Sequence, residues 1–152
     1  MPDQLTPRAV FERLNRGIAE GRWNDLADLY AEDAVVHQPF APPAPSEGPS
    51  APPVLRGRET LRARFAGADR MGLRFGVRNV VVHETADPEV VIAEFDYDIP
   101  AGEEVLTAAN IQVLRVRDGL VVESRDYHDH LTLARATGTV PALVAALTGE
   151  SA

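Results

Sequence analysis

From residue 73 onward the chain settles into a two-residue period. Leu73 to His83, Val90 to Ile99, Val105 to Arg117 and Leu120 to His130 are long runs rich in Val, Ile and Phe. They are parted by Asp87-Pro88, Pro100-Ala101-Gly102 and Asp118-Gly119. Connections this short cannot hold crossover helices, so the four runs are predicted to form an antiparallel meander. A sheet of that kind needs one face covered, and the covering material must come from the first half of the chain.

That half reads as helices. Thr6 before Pro7 is a helix start, with Thr as the cap and Pro at the first helical position. Val10, Phe11, Leu14 and Ile18 follow at helical spacing, and Gly21 ends the run. Asn24 is placed as the cap of a second, short helix carrying Leu26, Leu29 and Tyr30, and Ala34 to Gln38 as a short strand. Seven of the fifteen residues from Pro39 to Pro53 are proline, which rules out a ladder or a helix and makes 39–57 a loop. A further helix from Glu59 to about Asp69 presents Leu61, Phe65 and Ala68. A last one, Val140 to Leu147, has Pro141 in its first turn and Gly149 past its end. Helices first and strands after give an α+β class, and 152 residues fit a single domain, 1–152.

Composition removes several function classes. There are no cysteines, so thiolate metal sites and Cys nucleophiles are excluded. A net charge of −8 disfavours nucleic acid and anionic membrane partners. All 15 basic residues are arginine, and none form a run. No apolar stretch approaches the roughly 20 residues of a membrane span, and Met1 to Gln4 does not begin a signal peptide, so a cytoplasmic protein is expected. Phosphate-binding glycine loops, Gly-x-Ser-x-Gly and His-Glu-x-x-His are all missing.

Four segments in order resemble the SnoaL-like branch of the nuclear transport factor 2-like superfamily. They are Trp23 to Ala34, Gly57-Arg58-Glu59-Thr60-Leu61, Val113 to Gly119, and Val121 to Asp129. The resemblance implies a cone: a curved antiparallel sheet wrapped around N-terminal helices, with an internal pocket. It also implies a homodimer through the outer sheet face, no metal and no organic cofactor. Relatives include ketosteroid isomerases, limonene epoxide hydrolases, polyketide cyclases and proteins that only bind.

The segment Arg125-Asp126-Tyr127-His128-Asp129 is similar to the last-strand motif of the hydrolase and cyclase relatives, which makes Asp126 the expected general acid or base. Alternation places Ser124, Asp126, His128 and His130 on one face of that strand. The register of the preceding hairpin is open between two turns. A three-residue connection pairs Val116 with Leu120 and lines up Asn110, Gln112, Ser124 and Asp126. A two-residue connection pairs Arg117 with Leu120 and breaks that agreement. The resemblance favours the first, which is the expectation adopted.

Two departures from the relatives matter. The carboxyl positions of ketosteroid isomerases match Gln38 and Gln112, and glutamine is no general base, so a steroid-type isomerase is not expected. The arginine and aspartate of the epoxide hydrolases match Glu94 and Asp96, which loses the cation and counts against epoxide hydrolysis. What remains is Asp126 with Asp96 and His128 as catalytic candidates, and Gln112, Gln38, Asn110 and Tyr30 as substrate-binding candidates. Two carboxyls set apart in pKa by proximity suit a cyclisation or isomerisation.

The expected function is a cofactor-independent cyclase or isomerase acting on a hydrophobic carbonyl compound. The alternative is a non-catalytic binding protein of the same fold. Asp126, His128 and His130, with His37 as a fourth, also form a two-His-one-carboxylate pattern. Same-face neighbours on a straight strand lie about 7 Å apart, however, so no metal is expected. The proline-rich stretch, at the expected pocket mouth, is either a lid or a surface insertion.

Overall fold

The computed structural model describes residues 4–43 and 53–150. Helix α1 (Pro7–Ala19) is followed by a 3-10 helix (Trp23–Leu29), strands β1 (Tyr30–His37) and β2 (Val54–Arg56), and helix α2 (Arg58–Arg70). Strands β3 (Gly76–Glu84), β4 (Val90–Ala101), β5 (Glu104–Arg117) and β6 (Leu120–His128) then lead to helices α3 (His130–Thr137) and α4 (Val140–Thr148). No helix among the described residues is long and apolar enough to cross a membrane.

The six strands form one curved, unclosed sheet in the order β2-β1-β6-β5-β4-β3. The meander β3 to β6 is antiparallel throughout, as the turn signals require. The expected curved antiparallel sheet takes in one parallel pair, β1 beside β6. The chain leaves β1, runs through β2, α2 and three strands, and returns beside it, so the last strand's free edge is filled by the first. Bulges between Tyr30 and Val35, Arg78 and Val81, and Arg115 and Val116 bend the sheet around the helices.

Local readings hold at α1, where the Thr6 side chain accepts from the Ala9 amide and Pro7 opens the helix. They fail at Asn24. The second helix is 3-10 and starts at Trp23 after Arg22, and the Asn24 amide instead donates to Asp69 at 3.0 Å. Strand β1 begins four residues earlier than the sequence indicates. The short β2 lies inside the stretch assigned to loop, where Val54 to Arg56 are free of proline and pair with Val35 to His37. Helix α3 departs from the sequence pattern. Asp129 caps it, accepting from the Thr132 amide, in a place where the strand pattern ran on to His130.

The hairpin between β5 and β6 corrects the adopted register. Asp118 (φ 52°) and Gly119 (φ 76°) form a two-residue turn, and Arg117 pairs with Leu120. Both central residues have positive φ, the primed geometry that suits a right-twisted hairpin. The faces agree all the same. The bulge leaves Val122 without a partner, so Val116 pairs with Val121 but Arg115 with Glu123. Beyond it Gln112 stands opposite Asp126, and Asn110 opposite His128.

Packing inside the sheet is set by alternation. Val91, Ala93, Phe95, Tyr97 and Ile99 point from β4 to the helices, while Glu94 stays outside. Phe11 of α1 meets Phe95 with ring centroids 5.7 Å apart. Trp23 stacks on Phe65, takes Phe75 edge-on, and donates its indole N–H to the Leu73 carbonyl at 3.0 Å. Gly17 in α1 admits Leu26 of the 3-10 helix, because a Cβ there would overlap Leu26 Cδ2.

Gly17→Ala is therefore expected to destabilise the protein. Alanine gains about 1 kcal/mol of helix propensity, but overpacking costs about 1–3 kcal/mol. Urea unfolding measures the balance, and a raised midpoint would show that Leu26 moves aside freely.

Candidate functional site

The inner face of the β5–β6 hairpin divides into two zones. Nearest the turn it is apolar, with Leu114, Val116 and Val121 fully or nearly fully buried. Further along it becomes polar, with Asn110, Gln112, Ser124 and Asp126 all buried and His128 beside them. Buried polar groups persist only where they find partners, and these do so among themselves.

Asp126 Oδ1 accepts from Gln112 Nε2 at 2.9 Å and also from the Ser124 hydroxyl, which lies in close contact. Its other oxygen, Oδ2, lies 3.9 Å from His128 Nε2, too far for a direct hydrogen bond. Asn110 fixes the histidine. Its amide nitrogen points at the Ala108 and Phe95 carbonyls (2.9 and 3.5 Å), so its Oδ1 faces His128 Nδ1 at 2.7 Å. Nδ1 must then carry the proton, and a neutral ring presents a lone pair at Nε2. Burial pushes His128 below its ordinary value; Asp126 opposes this and the Arg64 charge adds to it.

Of these groups, Gln112, Asp126 and His128 line a cavity of about 280 Å³ between the sheet, α1, α2 and α3. Leu14, Ile18, Trp23, Leu61, Phe65, Leu73 and Phe75 form an apolar wall, faced by Tyr30, Tyr97, Gln38, Gln112, Asp126 and His128. Burial, and after it the charge of Asp126, raises the Tyr30 phenol well above its ordinary value, and the same two causes raise Tyr97. Both remain O–H donors at any working pH. His130, the first residue of α3, lines the cavity with its Nε2 buried and unpartnered. Burial, reinforced by His128 and Arg64, lowers its pKa to about 4.

Of the residues singled out in the sequence, the fold brings Asp126, His128, Gln112, Gln38 and Tyr30 to this cavity, with Asn110 directly behind His128. It does not bring Asp96. Phe95 and Tyr97 take the inward positions of β4, so Asp96 falls on the opposite face, where it accepts from Asn79 Nδ2 at 2.8 Å. Glu94 is outside as well, paired with His83. The expected pair of inner carboxyls is therefore a single one, and the comparison of Glu94 and Asp96 with the epoxide hydrolases concerns surface positions.

Asp96 instead borders a larger hollow of about 540 Å³ on the outer sheet face, with Phe40, Val81, Ile111 and Tyr127. That hollow is the roomier of the two, but its carboxylates already have partners, whereas the inner cavity gathers the unspent acid/base groups. Among the described residues no three His, Asp or Glu side chains gather as a metal-ligand set, and His130 belongs to a helix rather than to the strand of Asp126.

Tyr97 and Arg64, with Leu133 and Thr137 of α3, line the cavity without being marked in the sequence. Tyr97 is within reach of alternation, two positions from Phe95. Arg64 lies on the helical face of Leu61 and Ala68, where an arginine reads as solvent-exposed. Of the proline-rich stretch, Ala41, Pro42, Pro43 and Pro53 border the cavity's outer approach with Arg64 and His130, while residues 44–52 lie outside the described residues.

The two depressed histidines fix a sign. The unfolded chain takes up protons near the ordinary value of 6.5 that the folded protein refuses until about 4 for His130. Stability is thus full above 6.5 and falls as pH drops toward 4. The urea midpoint is expected to be lower at about pH 5 than at pH 7, and His130→Gln should remove part of that drop. Equal midpoints would contradict buried neutral imidazoles.

Comparison with known proteins agrees with this architecture. The model of the SnoaL-like domain matches residues 11–124. An uncharacterised PhzA/B-like protein of Pseudomonas aeruginosa is 34% identical over 134 residues, covering 85% of each chain. Among solved structures, a candidate isomerase from Bacillus subtilis superposes with a TM-score of 0.69 at 24% identity, covering 86% of this chain and 91% of its own. A loop-truncated variant of IdmH gives 0.65 at 22%, covering 86% and 98%. A phenazine biosynthesis-related protein of Pseudomonas aeruginosa gives 0.56 at 16%, covering 84% and 85%. With three-quarters of its length inside the family model and its curved sheet shared with these structures, the chain belongs to the SnoaL-like domain family.

Proposed function

We propose that the protein is an acid/base enzyme of isomerase or cyclase type, acting on a hydrophobic carbonyl compound bound in the inner cavity. One observation carries this reading. Asp126 has one oxygen committed to two donors and the other facing His128 Nε2 across 3.9 Å. A carboxylate held in that way cannot rotate to satisfy itself, and its free oxygen is presented to whatever enters. The chemistry needs no redox change and no group beyond the side chains present.

The proposed reaction uses these groups in turn. A carbon-bound proton beside the substrate carbonyl passes to Asp126 Oδ2, and the electron pair moves to the carbonyl oxygen, giving an enolate. Tyr30 or Tyr97, each kept protonated, donates to that oxygen as charge develops. The proton then returns to a different carbon, which is an isomerisation. Otherwise the enolate carbon attacks a second carbonyl and the proton goes to the new alkoxide, which is an aldol cyclisation. His128 Nε2, within reach of the same proton, shares it with Asp126. Gln112 and Asn110 orient the reacting groups and do not themselves need to touch substrate.

The names attached to similar proteins, a candidate isomerase and a phenazine biosynthesis-related protein, support a small-molecule role without specifying the reaction.

Exchange of α-hydrogens tests the proton-transfer step before any natural substrate is known. Aryl methyl ketones in D2O are expected to lose α-protons faster with the protein than without it. Asp126→Asn should lower the enzyme-dependent rate by about 10²–10⁴-fold while leaving ketone binding in place. Ketones that bind with no exchange, and equally in both proteins, would leave a binding protein in place of an enzyme.

A further inference from the structure

The wall of the cavity holds one cation, Arg64, and among the described residues no carboxylate lies within 4.0 Å of it. Arg8, Arg22, Arg62, Arg78, Arg115, Arg117 and Arg125 each have an Asp or Glu partner; of the arginines without one, Arg64 is the one that lines this cavity. Arg64 is partly open to solvent, and its one side-chain hydrogen bond is to Gln38 Oε1 at 3.4 Å, a long bond that leaves most of the guanidinium's five donors without a protein partner.

We infer that Arg64 anchors an acidic substituent, so that the substrate is a hydrophobic carbonyl compound bearing a carboxylate. The inference rests on the small-molecule reading of the same cavity. The donor set agrees with it. Beside the guanidinium stands the Gln38 amide, whose oxygen faces Arg64 and whose N–H groups are therefore free to turn inward, and the same cavity holds the buried, unpartnered Nε2 of His130, which donates to a carboxylate in the tautomer that places the proton there.

A planar carboxylate matches the guanidinium fork in two parallel bonds. A phosphate dianion fits less well, because the lining supplies one positive charge and no second. Arg64 enters the cavity wall from α2, whereas Asp126 and His128 enter it from β6. An acid seated there directs the far end of the molecule toward Asp126 and His128. The apolar wall between the two ends selects for an aromatic or aliphatic body.

The test uses matched pairs in which only the charge differs: 4-acetylbenzoate and 2-naphthoate, each beside its primary amide. Calorimetry and the fluorescence of Trp23, the only tryptophan and part of the cavity wall, read the binding. Wild-type protein is expected to hold each acid at least about tenfold tighter than its amide, with the preference falling as salt rises. Arg64→Gln should abolish the preference without weakening the amides, and Arg64→Lys should restore part of it.

Equal binding of acid and amide by the wild type would overturn the anchor while leaving the cavity as a ligand site. So would a loss in Arg64→Gln that strikes both members of a pair alike. Failure of all four compounds to bind would overturn the anchor together with the small-molecule reading on which it rests.

Discussion

Gln112 faces Asp126 across β5 and β6, and the interior of the sheet is organised by that pairing. Removing a carboxyl from water is costly unless donors replace the water, and here the Gln112 amide and the Ser124 hydroxyl do so. Both donors are themselves buried, so each needs the carboxylate as much as the carboxylate needs them. Moving β6 by one residue would send Asp126 to the outer face and bring Arg125 inside. The bulge that leaves Val122 unpaired is what reconciles a two-residue turn with the inward set of side chains.

Much of this was legible in the chain itself. Thr6-Pro7, the helical spacing of Val10 to Ile18, the turn pair ahead of Val90, and Pro141 and Gly149 at the two ends of the last helix all encode structure within a few residues, and they read correctly. The readings that failed depend on distant partners. β1 is parallel to β6 because two ends of the chain meet, and nothing local to Tyr30 announces it. Val54 to Arg56 become a strand only because β1 has a free edge to offer. Asn24, a good cap by type, is drawn instead to Asp69 of α2.

The site shows the same division. Alternation alone placed Ser124, Asp126 and His128 together, since a strand's faces are a local property. The pairing partners of those residues were displaced by two positions, because a turn and a bulge each shift register and only their sum is visible in the faces. Asp96 was assigned inward by likeness to relatives, whereas its neighbours Phe95 and Tyr97 had the stronger claim on the core. Arg64 is solvated, as a charged residue on a helix ordinarily is, and only the packing of α2 against β1 and the 3-10 helix makes it part of a wall as well.

Strand β4 keeps its two faces apart in kind. Phe95 and Tyr97 look inward, while Glu94, Asp96 and Asp98 are tied to His83, Asn79 and Arg78 outside. Each face can therefore drift without disturbing the other. Replacing an aromatic ring on the inner side reshapes the space offered to a ligand and leaves the acidic exterior, and so solubility, unchanged. A lineage built on such a strand can sample new ligands by single substitutions while its surface stays under separate selection. The strand's two-residue period thus makes the scaffold evolvable as well as stable.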